Sequence, residues 1–189
     1  RRVHAARARG MHATGGCVVF NLCCHLLAAG QLLCGFEEFM MHLLTDEVLV
    51  RSLLDRLVEG YLERIARLAP LLRGSVDVVL LNDDLGTQRS SFLSPELCRA
   101  VLYPHYKKVA AAAHELGMFI NFHSCGAVSN MIEMMIDAGF DCWEGQDACN
   151  DKLALMEKYG DRLAQLSICI PDPSTSDEDL KALLFRMVH

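Results

Sequence analysis

Two kinds of apolar pattern alternate along this chain. Short runs rich in apolar residues, such as VDVVLLN (76–82), MFINF (118–122) and LAQLSICI (163–170), have the length of strands. The segments between them carry apolar residues three and four positions apart and predict helices. Strands are read at GGCVVFNL (15–22), VDVVLLNDD (76–84), MFINFHSC (118–125), FDCWEGQ (140–146) and LAQLSICI (163–170). Two helices are predicted at 36–44 and 46–69, the second opening where Thr45 is followed by Asp46 and Glu47. A third runs from the cap Ser94, with Pro95 in its first turn, to Gly117, and Pro104 should kink or break it. Two more are closed by Gly139 and Gly160. A last one opens with Ser176 and Asp179 at capping-box spacing.

Strand and helix therefore alternate strictly. Strands that are apolar throughout suit a parallel sheet covered on both faces. Each polar cluster follows the end of a strand: Asp83 and Asp84, then His123 and Cys125, then Glu144 and Gln146. In parallel α/β folds the carboxyl ends of the strands share one side, and sites are built there. About five strands are counted, so this chain alone does not account for a closed barrel of eight.

His123 and Cys125 stand two positions apart on a strand and so share a face. Imidazole nitrogen and thiolate sulfur are both zinc ligands, and Gly126 lets the backbone turn away after them. The bland alternative is a histidine and a cysteine that happen to end a strand. Of Asp83 and Asp84, one side chain could face the site while the other caps the next segment. Glu144 is a candidate third ligand, a base, or an acid that orients the ligand histidine, against the plainer reading of a solvated strand-end acid. Asp83, Asp84 and Glu144 are the candidate catalytic acids, and His123, Cys125 and Glu144 the candidate metal ligands. Cys149 is a weaker ligand candidate. His105 and Tyr106 are read as helix-surface residues, and Met131, Met134 and Met135 as core.

Half of the residues are apolar (52%) and 22% are charged, a globular composition for a single domain spanning 1–189. The formal charge of −6 gives no electrostatic case for nucleic acid, and the basic lead RRVHAARAR is too short to define a surface for one. Residues 1–14 are read as a disordered or non-native lead, and RRVHAARARGMHATGGCVVFNLCCHLLAA (1–29) only loosely imitates a secretory signal. No apolar run is long enough to predict a membrane span. The nine cysteines are odd in number and irregularly spaced, which fits a reducing cytoplasm better than a disulfide framework. Cys23, Cys24, Cys34, Cys98 and Cys169 are read as small buried hydrophobes. The first residue is not methionine, which suggests a processed, trimmed or incomplete chain.

DVVLLNDDLGTQRSSFLSPELCRAVLYPHYKKV (77–109), followed after a helix by FHSCGAV (122–128), resembles the uroporphyrinogen decarboxylase superfamily. Within it the chain is most similar to the cobalamin (corrinoid)-dependent methyltransferase branch. GFEEFMMHLLTDEVLVRSLLDRL (35–57) and DCWEGQDACNDKLALMEKYGDRL (141–163) match the segments that flank this block. The resemblance implies a TIM (β/α)8 barrel, here a partial one lacking its first strands and last segment. It implies catalytic zinc on His123 and Cys125, with a further cysteine ligand that has no counterpart in this chain. It also implies methyl transfer between a small methylated substrate or thiol and a corrinoid carried on a partner protein. A metal-independent decarboxylase of porphyrinogen carboxylates, and a non-catalytic barrel fragment, are the competing readings. Open sheet edges would favour association, a homo-oligomer included.

Overall fold

A computed structural model describes residues 10–145, 148–167 and 174–188. The first nine residues, Gln146, Cys169 and the end of the last predicted strand lie outside the described residues. Five strands form one sheet: β1 (Val19–Asn21), β2 (Val78–Asn82), β3 (Phe119–His123), β4 (Cys142–Glu144) and β5 (Ala164–Gln165). All neighbours are parallel and the order across the sheet is the order along the chain. That order requires a crossover after every strand, and the helices supply it.

Helices α1 (Leu27–Cys34), α2 (Phe36–Thr45) and α3 (Glu47–Leu72) link β1 to β2, and α4 (Pro95–Val101) and α5 (Tyr103–Glu115) link β2 to β3. A 3₁₀ turn (Ser129–Met131) and α6 (Ile132–Ala138) precede β4, α7 (Lys152–Tyr159) precedes β5, and α8 (Asp177–Val188) ends the described chain. Several boundaries follow from local chemistry. Asp46 caps α3 by accepting the Leu49 N–H, and Ser94 caps α4 by accepting the Leu97 N–H. Pro104 breaks the helical run, leaving Leu102 between α4 and α5. The Ser176 hydroxyl accepts the Asp179 N–H at 3.1 Å, as the capping-box spacing predicts.

Helix α1 is absent from the sequence reading because nothing local announces it. Its N-cap position is Leu26, which has no side-chain acceptor. The cap comes instead from Asp83, at the end of β2, whose carboxylate receives the Leu26, Leu27 and Ala28 N–H groups. Helix α3 also continues past its expected end, with Pro70 inside it.

The register sorts the sheet into two faces. Leu81, Phe122 and Trp143 are paired across β2, β3 and β4 and are completely buried, on the face covered by helices. There the Tyr106, Phe122 and Phe140 rings meet edge to face, with centroids 4.8–6.0 Å apart. Each such pair adds about 0.5–1.5 kcal/mol beyond its buried area. The other face carries Asn82, His123 and Glu144 in one row and Leu80, Asn121 and Cys142 in the row below.

Two expectations are corrected. Cys24 and Cys98 are buried, but Cys23 and Cys34 are exposed. Cys23 occupies a positive-φ position (52°) in the turn after β1, and Cys34 is the last residue of α1. His105 and Tyr106 face the interior, not the surface, at 2% and 0% exposure. His105 bonds Val101 O and Asp55, which ties α5 to α4 and α3.

Candidate metal centre

β2, β3 and β4 end side by side, so Asn82, His123 and Glu144 come into register. Side chains in register on neighbouring strands share a face, which brings the His123 ring to the Glu144 carboxylate, Nδ1 to Oε1 at 3.2 Å. Asn121, two residues before His123 and fully buried, donates from Nδ2 to Glu144 Oε2 at 3.0 Å. A proton on Nδ1, donated to Glu144, leaves the Nε2 lone pair free on the other edge of the ring. That edge faces Cys125 Sγ at 3.4 Å and Asp84 Oδ1 at 3.8 Å.

The backbone after β3 is held for this purpose. Asp84 Oδ1 accepts the Cys125 N–H at 2.7 Å, the Leu85 N–H donates to Ser124 Oγ, and the Ala127 N–H donates to Thr87 O. Gly126 has φ +84°, and a Cβ there would meet the carbonyl carbon of Gly86 at 2.2 Å. Only glycine fits both the torsion and the approach.

Among the described residues, Asp84, His123 and Cys125 form a group whose donor atoms all lie within 4.8 Å of one another. Ligands around a tetrahedral zinc are separated by about 3.3–3.8 Å, from bonds of about 2.0–2.3 Å. The His123–Cys125 and His123–Asp84 distances of 3.4 and 3.8 Å fall in that range. One neutral imidazole and two anionic donors match the charge of a dication, so the residues fit zinc. Glu144 is not in the group. It holds the opposite ring nitrogen, which is the orienting role left open in the sequence.

Asp83 and Asp84 thus diverge. Asp84 is exposed at the cluster, while the Asp83 carboxylate is buried and points away from it. Besides the three N–H groups of α1, Asp83 Oδ2 accepts the Tyr106 hydroxyl at 2.7 Å. The segment it caps precedes β2 in the chain and does not follow it, contrary to the expectation. Burial pushes the Asp83 carboxyl above the ordinary range, against the pull of these four hydrogen bonds. Burial, then the neighbouring Asp83, drives the Tyr106 hydroxyl far above its usual range, and the same two causes push the Cys98 thiol up to about 12. Tyr106 and Cys98 are structural groups that stay protonated. Cys149 is exposed in the loop after β4 and is not in the donor group. One residue that supports the cluster, Asn121, was not anticipated, though it was findable, since it shares the strand face of His123.

A parallel sheet wound in chain order, helices between its strands and a polar cluster at the carboxyl ends define a TIM-barrel type of α/β protein. Residues 18–164 match the uroporphyrinogen decarboxylase (URO-D) family, and the chain belongs to that family. The five strands among the described residues are a partial barrel of this type. No curated protein sequence matches the chain. Among solved structures it is similar to a methyltransferase from Methanosarcina mazei, with a TM-score of 0.72 and 18% identity, over 99% of this chain and 55% of that one. The chain spans about half the length of that protein, and likeness at this identity is a likeness of fold.

Proposed function

We propose that this chain carries the metal centre of a zinc-dependent methyltransferase of the URO-D family. The methyl group would pass between a small methylated substrate or thiol and a corrinoid held by a partner protein. One observation carries the reading: His123, Cys125 and Asp84 converge at the carboxyl ends of neighbouring strands while Glu144 holds the far nitrogen of His123. The similar fold of the Methanosarcina mazei methyltransferase supports it.

His123 Nε2, Cys125 Sγ and Asp84 Oδ would hold the ion. Zinc would supply Lewis acidity, making a thiol more acidic or stabilising a departing alkoxide. The protein's own part is orientation. Glu144 keeps the His123 proton on Nδ1, Asn121 keeps Glu144 in place, and Asp84 fixes the Cys125 backbone. Cys17, Cys23, Cys24, Cys34, Cys98 and Cys142 are free thiols, and the setting we infer is a reducing cytoplasm. No helix among the described residues is long and apolar enough to cross a membrane.

The test is methyl transfer from methylcobalamin to a small thiol, followed by loss of the methyl–cobalt absorbance. Zinc-loaded protein should catalyse it, and the Cys125→Ser variant should not. Equal rates for both would reject the reading, and decarboxylation of a porphyrinogen without metal would put the competing decarboxylase in its place.

A further inference from the structure

Asn150 lies in the loop between β4 and α7. It is 1% exposed and stands outside the donor group. Its carboxamide is committed to the turn that follows Cys125. Oδ1 accepts the N–H groups of Val128 at 2.9 Å and Ser129 at 3.1 Å, and the Ser129 hydroxyl at 2.9 Å. Nδ2 donates to Gly126 O at 2.8 Å and lies 3.9 Å from Cys149 Sγ. These bonds reach back 21 to 24 positions in the chain.

The same turn is held on another side by the loop after β2. Asp84 takes the Cys125 N–H, Thr87 takes the Ala127 N–H, and Gly86 backs onto Gly126. Cys125 therefore rides on a turn gripped by the loops of both neighbouring strands. A thiol carried on one Cβ goes where its backbone puts it, so the turn sets the distance from Sγ to His123 Nε2. A primary amide is suited to this grip because it accepts from two backbone N–H groups and donates to a carbonyl at once. Aspartate would keep the acceptor and lose the donor, and leucine would lose both.

We infer that Asn150 is a positioning residue for the Cys125 thiol, fixing the turn from the β4 side so that sulfur and imidazole meet one ion. This rests on the metal centre proposed above. The experiment compares wild type with Asn150→Asp, Asn150→Leu and a control, His114→Ala, which removes a bond to Asp141 remote in sequence from the turn. Zinc affinity is measured by chelator competition, cobalt–thiolate absorption by titration with Co2+, and amide exchange on the metal-free proteins.

Both Asn150 variants should melt cooperatively yet bind zinc at least about 10-fold more weakly, the usual cost of losing an outer-sphere partner. They should also show a weaker cobalt–thiolate band. In Asn150→Asp, exchange should quicken at Cys125 and Ala127, whose own bonds go to Asp84 and Thr87. Wild-type affinity and absorption in both variants, with a wild-type protein that binds metal, would overturn this inference alone. So would an equal loss of affinity in His114→Ala. A wild-type protein that binds no zinc would overturn the metal centre and this inference together.

Discussion

The two ends of the sheet use the same residue types in different ways. At the amino ends, Asp77 stands just before β2 and Asp141 just before β4. A single oxygen of each accepts a backbone N–H and lies against a histidine. For Asp77 these are Val18 N at 2.7 Å and His12 Nε2 at 2.9 Å; for Asp141, Ile120 N at 2.8 Å and His114 Nε2 at 2.9 Å. Each pair ties one strand start to its neighbour and to a helical segment. At the carboxyl ends, His123 lies between two acids with a thiol alongside, and its Nε2 edge faces two donors from different segments, Cys125 Sγ and Asp84 Oδ1, the latter also taking the Cys125 N–H. Acid–histidine pairs alone do not mark a site. Convergence of several donors on one point does, and the position in the fold agrees, since barrels keep stability at the amino face and chemistry at the carboxyl face.

Variants can break that comparison in order of effect. Asp83→Ala should be the most damaging for the fold, because it strands three N–H groups of α1 and the Tyr106 hydroxyl in a dry interior. The expected loss is about 3–5 kcal/mol, read by chemical denaturation. Gly126→Ala should come next. Its Cβ strikes Gly86 in a left-handed torsion, so metal binding should fail through displacement of Cys125, with a stability loss above about 1 kcal/mol. Glu144→Gln should leave stability nearly unchanged and weaken zinc about 10–100-fold, because the His123 tautomer is no longer enforced.

The amino-end pairs should give the smallest effects. Asp141→Asn should cost up to about 1 kcal/mol in a denaturation experiment and leave zinc affinity alone. For Asp77 the check is pH. The Val18 N–H, then His12, hold its carboxyl below the ordinary range. Its contribution is complete above the ordinary carboxylate pKa and is lost as pH falls through the lower folded-state value. Asp77→Asn should therefore flatten the acid limb of the stability profile. If Asp141→Asn abolished metal binding, the contrast between the two ends would collapse.

The strand–helix rhythm was legible because continuous apolar runs, proline, glycine and capping serines act locally. So was the face on which His123 and Glu144 meet, since strand parity and register fix it, whereas Cys125 lies past the end of β3 and is placed by the turn. The division of labour between Asp83 and Asp84 was not legible. Two adjacent identical residues differ only in which way the backbone turns them, and one turns toward a helix more than fifty positions earlier. Helix α1 was missed for the same reason, its cap being a long-range contact. The bonds by which Asn150 holds the turn are long-range, so nothing near it in sequence marked it. Cys23 and Cys34 were misplaced because composition cannot tell a buried thiol from one at a turn or a helix end.

The central claim is that Asp84, His123 and Cys125 hold one zinc ion while Glu144 stays outside its coordination. Zinc stoichiometry and affinity for wild type, Cys125→Ser, Asp84→Asn and Glu144→Gln test it most directly, read together with X-ray absorption at the zinc edge. The account predicts about one zinc per chain in wild type, with sulfur, nitrogen and oxygen scatterers at the usual bond lengths. Sulfur should vanish in Cys125→Ser, and the coordination should persist at lower affinity in Glu144→Gln. Zinc bound equally well by Cys125→Ser, or no zinc in wild type, would contradict it.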